Sequence, residues 1–282
     1  MNPRRLLVFA LSLAGCAAEV NPAQDLYLAT RYEESLRLLR SMPQEDPAVL
    51  ELTGKNQFML GNFKKAAEAF EALTGVTPRS AKAHLWLGRA HGRMAETANP
   101  FRAPGLAVKA RKSFEKAIEL DPKNIEAIDD LLEYYLRAPR FLGGGSDKAA
   151  ALTERLKDVD PAEYYSAQSR LAQSEKEPAA AENLLRRAVE LAPKQINRLL
   201  DLARFLARQG KIGESDDAFR KAESLAPGDP DLLFTRASIL IETKREQERA
   251  RQLLQQYLAS PLTPAHPPRA EAERLLRMIS GG

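Results

Sequence analysis

The sequence predicts an all-α protein made of stacked helix hairpins. Three observations lead to this prediction: a recurring pattern of small and apolar residues, a proline at a fixed distance after most copies, and another small residue upstream of several copies. The chain has 282 residues and is 44% hydrophobic, which suffices for a large core or for an array of repeats.

The recurring pattern has a small residue first, an apolar residue four positions later and a small or apolar residue three positions after that. This spacing places the three side chains on one face of an α-helix. A proline five positions further on predicts the end of that helix, because it lacks an N–H group and restricts the residue before it. The copies are Ala66, Phe70, Leu73 and Pro78; Ala110, Phe114, Ala117 and Pro122; Ala149, Thr153, Leu156 and Pro161; Ala181, Leu185, Ala188 and Pro193; Ser215, Phe219, Ala222 and Pro227; and, without the proline in register, Ala250, Leu254 and Tyr257.

The small residues upstream, at Gly54, Ser169 and Ala203, belong to a preceding helix and allow the two helices of a pair to approach closely. Two helices per unit of about 34 residues are typical of one repeat family. The chain resembles tetratricopeptide repeat (TPR) proteins over most of residues 22–262. This resemblance implies a right-handed α-solenoid of TPR helix hairpins that binds proteins.

Two repeats contain extra residues, near 96–105 and near 137–146. Both insertions interrupt the turn between the first and second helix of a unit, so we expect them on the same edge of the stack. One contains Phe101 and Arg102, and the other contains Arg140 and Phe141. Aromatic and Arg side chains are enriched at interface centres, which favours partner contact. The alternative is that both Phe side chains pack against the stack and only anchor long turns.

In a TPR solenoid the first helix of each unit lines the inner face. The repeat phase predicts exposed basic residues there and an acidic patch in the third repeat, so the groove would select charged peptides. The alternative is a solvated charged face. The basic positions are Lys55, Lys82, Arg89, Arg93, Arg170, Arg204 and Arg208, and the acidic ones are Glu126, Asp129 and Glu133.

The N-terminus has a basic pair, Arg4 and Arg5, an apolar run too short to span a bilayer, and the sequence Leu13-Ala14-Gly15-Cys16. This segment resembles the lipobox of bacterial lipoproteins, which implies cleavage before Cys16 and acylation of its thiol. Ala17 then suggests the outer membrane, with the protein facing the periplasm. The alternative is an ordinary signal peptide with an incidental Cys.

The predicted organisation has five segments. Residues 1–15 form a signal peptide, 16–21 a lipid-anchored leader, 22–46 a partial N-terminal repeat, 47–262 about six TPR units, and 263–282 a C-terminal capping helix and tail. Stacked repeats need such atypical ends to cover their last apolar face. In the capping helix we expect Leu275, Met278 and Ile279 to pack.

The sequence indicates no enzyme and no cofactor. It has no nucleophile motif, and His84 and His91 have no third ligand nearby in sequence, so no metal is predicted. Gly143, Gly144 and Gly145 permit a tight loop, with Ser146 or Asp147 expected to cap the following helix. The net charge of +4 includes the two arginines of the signal, so it argues little for nucleic acid.

The function predicted is that of a membrane-anchored periplasmic scaffold or adaptor for a protein partner. Assembly of an envelope complex, such as a pilus, secretion or outer-membrane machinery, is the first interpretation. One alternative is an accessory lipoprotein that recruits an enzyme for envelope polysaccharide or peptidoglycan export. A second alternative is a small-ligand binder or enzyme at the inserted loops.

Overall fold

A computed structural model describes the backbone of residues 13–280 and the side chains of residues 20–279. All regular structure in this part of the chain is helical, which confirms the predicted all-α class. Residues 1–12 of the predicted signal peptide and the last two residues of the predicted tail lie outside the described residues. The helices are α1 (Leu13–Leu28), α2 (Tyr32–Leu39), α3 (Pro47–Met59), α4 (Phe63–Val76), α5 (Ala81–Thr97), α6 (Ala103–Leu120), α7 (Ile125–Arg137), α8 (Ser146–Thr153), α9 (Pro161–Ser174), α10 (Pro178–Leu191), α11 (Ile196–Arg208), α12 (Ile212–Leu225), α13 (Pro230–Glu242), α14 (Gln247–Ala259) and α15 (Arg269–Ser280), with short 3-10 turns at Arg140–Leu142 and Glu154–Leu156.

The chain divides into two compact units, residues 1–120 and residues 121–282. In the first unit α1 packs against α2, α3 against α4, and α5 against α6. In the second unit α7 pairs with α8, α9 with α10, α11 with α12, and α13 with α14, while α15 packs against α14. Within the described residues, six hairpins therefore follow the N-terminal pair, and α15 covers the last one.

Small residues allow the two helices of a hairpin to approach closely, as predicted. A Cβ atom added to Gly54 would lie 2.6 Å from Cζ of Phe70, and one added to Gly88 would lie 2.5 Å from Cδ1 of Phe114. Non-bonded carbon atoms normally stay about 3.5 Å apart, so each phenyl ring occupies the space of a missing side chain. The small residues that open the repeat pattern are also buried: Ala66, Ala110, Ala149, Ala181, Ser215 and Ala250.

Polar side chains begin the first helix of most hairpins. At each of these N-cap positions a side-chain oxygen accepts a hydrogen bond from a backbone N–H of the first turn, which would otherwise have no partner. The capping residues are Asp46, Ser80, Asn124, Asp160 and Asp229. Pro161, which was expected to end a helix, instead occupies the first position of α9, where its missing N–H group has no intrahelical role.

The two insertions have different structures. Near 96–105 the extra residues lengthen both helices: α5 and α6 contain 17 and 18 residues, compared with 13 in α3 and 14 in α4. Only residues 98–102 form the turn between them. Near 137–146 the extra residues form a loop, residues 138–145, which contains a 3-10 turn and the three glycines.

Residues 16–21, the predicted leader, belong to α1. The buried residues Val20 and Ala23 of the same helix pack in one cluster with Tyr27. Three of the seven residues of α1 that precede Val20 are Ala, which has the highest helix propensity. These residues therefore extend α1 in the N-terminal direction beyond the part of the helix that packs against the hairpins.

The C-terminal helix, α15, differs from the sequence-based expectation at one position. α15 buries Ala272, Leu275 and Ile279, which lie three and four residues apart on one face. Met278 was expected to pack with them but is 56% exposed, because it falls on a neighbouring face of the helix.

Candidate functional site

The second unit contains a groove of about 1230 Å³. It follows the first helices of successive hairpins, α7, α9, α11 and α13, and reaches α15. One end is lined mainly by charged side chains, including Asp129, Glu133, Glu163, Arg170, Arg198, Asp201, Arg204 and Arg208. The other end has apolar side chains, Phe234, Ile241, Leu275 and Met278, together with Glu242, Glu271 and Arg274.

Glu163 of α9 is the central residue of the charged end. Its Oε1 accepts a hydrogen bond from Nη2 of Arg170 at 2.9 Å, and its Oε2 contacts Nη1 of Arg198 on α11. The same Nη2 of Arg170 donates to Oδ1 of Asp129 on α7 at 2.5 Å. These contacts connect three successive hairpins through side chains alone.

Burial dominates the electrostatics of this cluster. Glu163 is 7% exposed, and burial, together with the negative charge of Asp129, raises its pKa to about 7, although Arg198 and Arg170 oppose this shift. Burial also raises the pKa of Asp201, against the charges of nearby arginines. Loss of the proton from Glu163 and Asp201 is therefore disfavoured in the folded protein.

The arginines predicted for the inner face of the second unit line the groove, but they are not free cations. Arg170 is paired as described, and Nε of Arg208 on α11 donates to Oε2 of Glu242 on α13 at 2.9 Å. Nη1 of Arg204 lies 3.9 Å from Oδ1 of Asp201. The first helices of adjacent hairpins lie within side-chain reach, so a basic residue on one helix meets an acidic residue on the next. The predicted basic residues of this unit are therefore paired, with Arg170 and Arg204 half-buried and Arg208 exposed.

In the first unit the predicted inner arginines contact aromatic rings. The guanidinium of Arg89 lies 5.2 Å from the ring centroid of Trp86, and that of Arg93 lies 5.1 Å from the ring centroid of Phe63. Arg93 also pairs with Oε2 of Glu96 at 2.7 Å. Cation–π contacts of this kind fix the guanidinium plane on the protein surface.

The turn at residues 98–102 presents Phe101 to solvent. Its side chain is 96% exposed, so the alternative in which it packs against the stack is wrong. The turn itself is ordered, because Oδ1 of Asn99 accepts hydrogen bonds from the backbone N–H groups of Phe101 and Arg102, both at 3.1 Å. A partner that contacts this ring would not have to order the backbone first.

Phe141 is likewise 83% exposed, on the loop of residues 138–145. The hydroxyl of Tyr134 donates to the carbonyl oxygen of Leu142 at 2.7 Å. A Cβ atom on Gly144 would lie 1.8 Å from the carbonyl oxygen of Ala138, so only glycine allows this close approach of two backbone segments. The loop is a rigid support for an exposed aromatic side chain, and it does not bury that side chain.

The start of α8 differs from the expectation that Ser146 or Asp147 caps it. Gly145 is the N-cap residue, with φ 149°, and no side-chain oxygen caps the helix. The N–H group of Gly145 donates to the carbonyl oxygen of Tyr135 at 2.9 Å. The backbone conformation and its contact with α7 therefore determine where α8 begins.

One group of potential metal ligands occurs among the described residues: Asp229, Asp231 and His266 offer atoms within 4.8 Å of one another. The sequence does not indicate this group, because the hairpin of α13 and α14 separates His266 from the two aspartates. Oδ1 of Asp229 caps α13, and Nδ1 of His266 accepts a hydrogen bond from the backbone N–H of Thr263 at 2.9 Å. These atoms thus have structural roles, and we do not propose a metal site at these residues.

Comparison with known proteins agrees with the geometry. The family described as tetratricopeptide repeat matches residues 109–124, within and just after α6. The chain is similar to a solved TPR protein of Parabacteroides merdae, with 13% identity, a TM-score of 0.59, and coverage of 95% of this chain and 99% of that one. It is also similar to a thermophilic TPR protein of Thermus thermophilus, with 24% identity, a TM-score of 0.54, and coverage of 67% of this chain and 98% of that one.

The helix hairpins, the inner groove and these similarities define an α-solenoid protein. The chain has the fold of tetratricopeptide repeat proteins. Proteins with this fold are typically non-catalytic scaffolds that bind peptides or proteins, and a protein-binding scaffold is the function that the fold indicates.

One curated relative matches part of the chain. Cellulose synthase operon protein C of Pseudomonas fluorescens is 30% identical over 125 residues, which is 44% of this chain and 9% of that protein. The match thus covers a small fraction of the relative. Among the described residues of this chain, no helix is both long and apolar enough to cross a bilayer.

Proposed function

We propose that this protein is a lipid-anchored scaffold of the cell envelope that holds a segment of a partner protein in the groove of the second unit. The size of the groove is the observation that supports this proposal most directly. At about 1230 Å³ it exceeds the ~300–1,000 Å³ of typical small-molecule sites. A polypeptide segment would fill it across several repeats.

The apolar end of the groove is where a partner would gain most affinity. Met278 is 56% exposed and Phe234 is only partly buried, so both have apolar surface left to cover. Burial of apolar side chains at the centre of an interface accounts for most binding free energy in known complexes. At the charged end the arginines and carboxylates already pair with one another. This end would therefore contribute to the orientation of a partner more than to its affinity.

The envelope location rests on the N-terminal sequence. Leu13-Ala14-Gly15-Cys16 resembles a lipobox, and Ala17 in the next position favours the outer membrane, with the repeats facing the periplasm. A scaffold held there would suit assembly of an envelope complex such as a pilus, secretion or outer-membrane machinery.

Recruitment of an enzyme for envelope polysaccharide or peptidoglycan export is the second candidate. The similarity to part of Cellulose synthase operon protein C favours it. The two candidates share the same groove chemistry and differ only in the identity of the partner.

Site-specific crosslinking in intact cells tests the proposal. A photoreactive amino acid at Met278, in the groove, should crosslink to a discrete partner. The same residue at Leu225, an exposed apolar position on α12 outside the groove, should not. Mass spectrometry of the adduct separates the candidates: a pilin, secretin or outer-membrane subunit indicates assembly, and a polysaccharide or peptidoglycan enzyme indicates export. Equal adducts from both positions, or none from Met278, would contradict the groove as the binding site.

A further inference from the structure

The first unit has a second concavity, of about 950 Å³, at the turns inside its hairpins. Phe63 borders it from the start of α4, and Phe101 and Arg102 border it from the turn before α6. It therefore lies on an edge of the hairpins and not on the inner face that TPR proteins commonly use. It shares no residue with the groove of the second unit.

Positive charge dominates the wall of this concavity. Lys64, Lys65, Arg102 and Lys109 line it, and all four are exposed. Its lining residues, all within the described chain, include no carboxylate. Nζ of Lys64 lies 3.9 Å from Oε1 of Glu68, in an exposed pair that solvent and salt weaken.

Two helix N-termini add to this positive potential. α4 begins at Phe63 and α6 at Ala103, and neither has an acidic residue in its first turn. The N-cap residue of α4, Asn62, makes no side-chain capping hydrogen bond. The positive ends of both helix dipoles thus reinforce the lysines and the arginine.

The floor of the concavity is apolar. Met94, Leu106 and the ring of Phe63 are partly buried in it, while Phe101 stands at its rim, 96% exposed. A ligand that fits must therefore supply both negative charge and apolar side chains. Free phosphate or a purely acidic chain would satisfy only half of this surface.

We propose that this concavity is a second binding site, which takes an acidic segment of a partner protein whose apolar side chains pack against Phe101 and the floor. The site offers cations spaced around an apolar centre, and an amphipathic acidic segment is the complementary chemistry. The cations would accelerate encounter, and the aromatic contact would slow dissociation.

A membrane surface offers similar chemistry but fits the geometry less well. Tyr32, after the first turn, packs in one cluster with Leu60, so the turns inside successive hairpins lie at one edge. α1 ends at that edge at Leu28, and Cys16 lies about 18 Å away along the helix axis. A chain anchored through Cys16, as in the proposed function, would hold this edge away from the bilayer.

Fluorescence anisotropy with the full-length protein tests the site. The probe is a short labelled peptide of alternating Glu and Leu, compared with a Gln and Leu version of the same length. We expect the Glu–Leu peptide to bind about tenfold more tightly, with an affinity that falls as NaCl is added. Arg102→Glu combined with Lys109→Glu should weaken its binding by about tenfold or more, and Phe101→Ser should weaken binding of both peptides.

Arg79→Glu is the matched control, because Arg79 is exposed in the turn before α5, at the opposite edge of the hairpins. It should leave the affinity unchanged. Lys65→Gln combined with Lys109→Gln is a milder second variant. It replaces the Arg102→Glu and Lys109→Glu protein if that protein has an altered melting curve. Equal binding of the two peptides, or unchanged affinity in both charge variants, would overturn the proposal. Binding to phosphatidylglycerol vesicles without binding to the Glu–Leu peptide would assign the site to a membrane instead.

Discussion

Glu163 on α9 and Arg198 on α11 form a buried ion pair between neighbouring hairpins of the second unit, with side chains 9% and 11% exposed. Arg170 binds the other oxygen of the same carboxylate. Even with two guanidinium partners, burial raises the pKa of Glu163 to about 7. The contact that joins these hairpins is therefore sensitive to pH near neutrality.

We expect Glu163→Gln to change how stability depends on pH. The folded pKa of about 7 exceeds the reference value of 4.5, so the folded state binds more protons between these values. The contribution of Glu163 to the free energy of unfolding is therefore largest below pH 4.5, and it is lost as the pH rises through 7. A shift of this size corresponds to about 3 kcal/mol. Urea unfolding should show the variant gaining stability relative to the wild type by roughly this amount between acid and mildly alkaline pH.

Glu190→Gln is the control for this experiment. Glu190 is 63% exposed and pairs with Arg187 one turn earlier on the same helix. Exposed pairs contribute about 0–1 kcal/mol, so the variant should follow the wild-type pH profile closely. If the unfolding free energy of Glu163→Gln also followed the wild-type pH profile, the raised pKa of Glu163 would be wrong.

A pair of glycines in α5 tests the close approach of α5 and α6. Gly88→Ala would place its Cβ 2.5 Å from Cδ1 of Phe114, and overpacking of this kind costs about 1–3 kcal/mol. Gly92→Ala, one turn later, meets no atom within 4 Å and should stabilise the helix by roughly 0.5–1 kcal/mol. Chemical denaturation measures both. Phe114→Leu should recover part of the loss in Gly88→Ala, and a neutral Gly88→Ala would contradict the packing of Phe114 on α5.

The hairpin seam could be predicted because its signal is local. A small residue such as Ala66 and a large one such as Phe70 are one turn apart on one helix, and Gly54 lies on the helix just before. Helical periodicity and proximity in sequence fix which of these side chains meet. No knowledge of longer-range packing is needed.

The contacts of the groove could not be predicted in the same way, because they join residues of different hairpins that are more than 30 positions apart in sequence. Arg170 binds Asp129, which lies 41 residues earlier, and the pattern of one helix does not identify such a partner. The same limit explains the error at Met278: periodicity does not determine the rotation of the last helix within a fraction of a turn. Exposure of Phe101 also depends on how its turn folds, which the sequence left open between two alternatives.

Phe141 should contribute to binding and not to stability. Because its side chain is 83% exposed, Phe141→Ala should change the unfolding free energy by less than about 0.5 kcal/mol. A photoreactive phenylalanine analogue at this position should form an adduct with a partner in intact cells. A large loss of stability in Phe141→Ala would show that the ring is structural, and absence of any adduct would remove Phe141 from the binding surface.

Gly144→Ala tests whether the rigid loop is required to present Phe141. The added Cβ would lie 1.8 Å from the carbonyl oxygen of Ala138, so the loop must move. We expect faster hydrogen exchange at the amide of Gly145, which donates to Tyr135, and a lower yield of the adduct from position 141. Gly105→Ala, at a glycine with no atom within 4 Å, should leave both unchanged. A normal adduct yield together with fast exchange at Gly145 would show that presentation does not depend on loop rigidity.

Cys16 is the residue on which the proposed anchor depends. Because acylation needs its thiol, Cys16→Ser should abolish incorporation of labelled palmitate and release the protein from the membrane fraction. Ala18→Ser, a conservative change two residues later, should retain both properties. Ala17→Asp should keep the label but move the protein to the inner membrane, as the resemblance to bacterial lipoproteins implies. At least two acyl chains are needed for firm attachment, since one gives only marginal binding, so partial acylation would appear as a labelled but soluble fraction. A Cys16→Ser protein that remained labelled and membrane-bound would contradict the anchor while leaving the groove and the second concavity untouched.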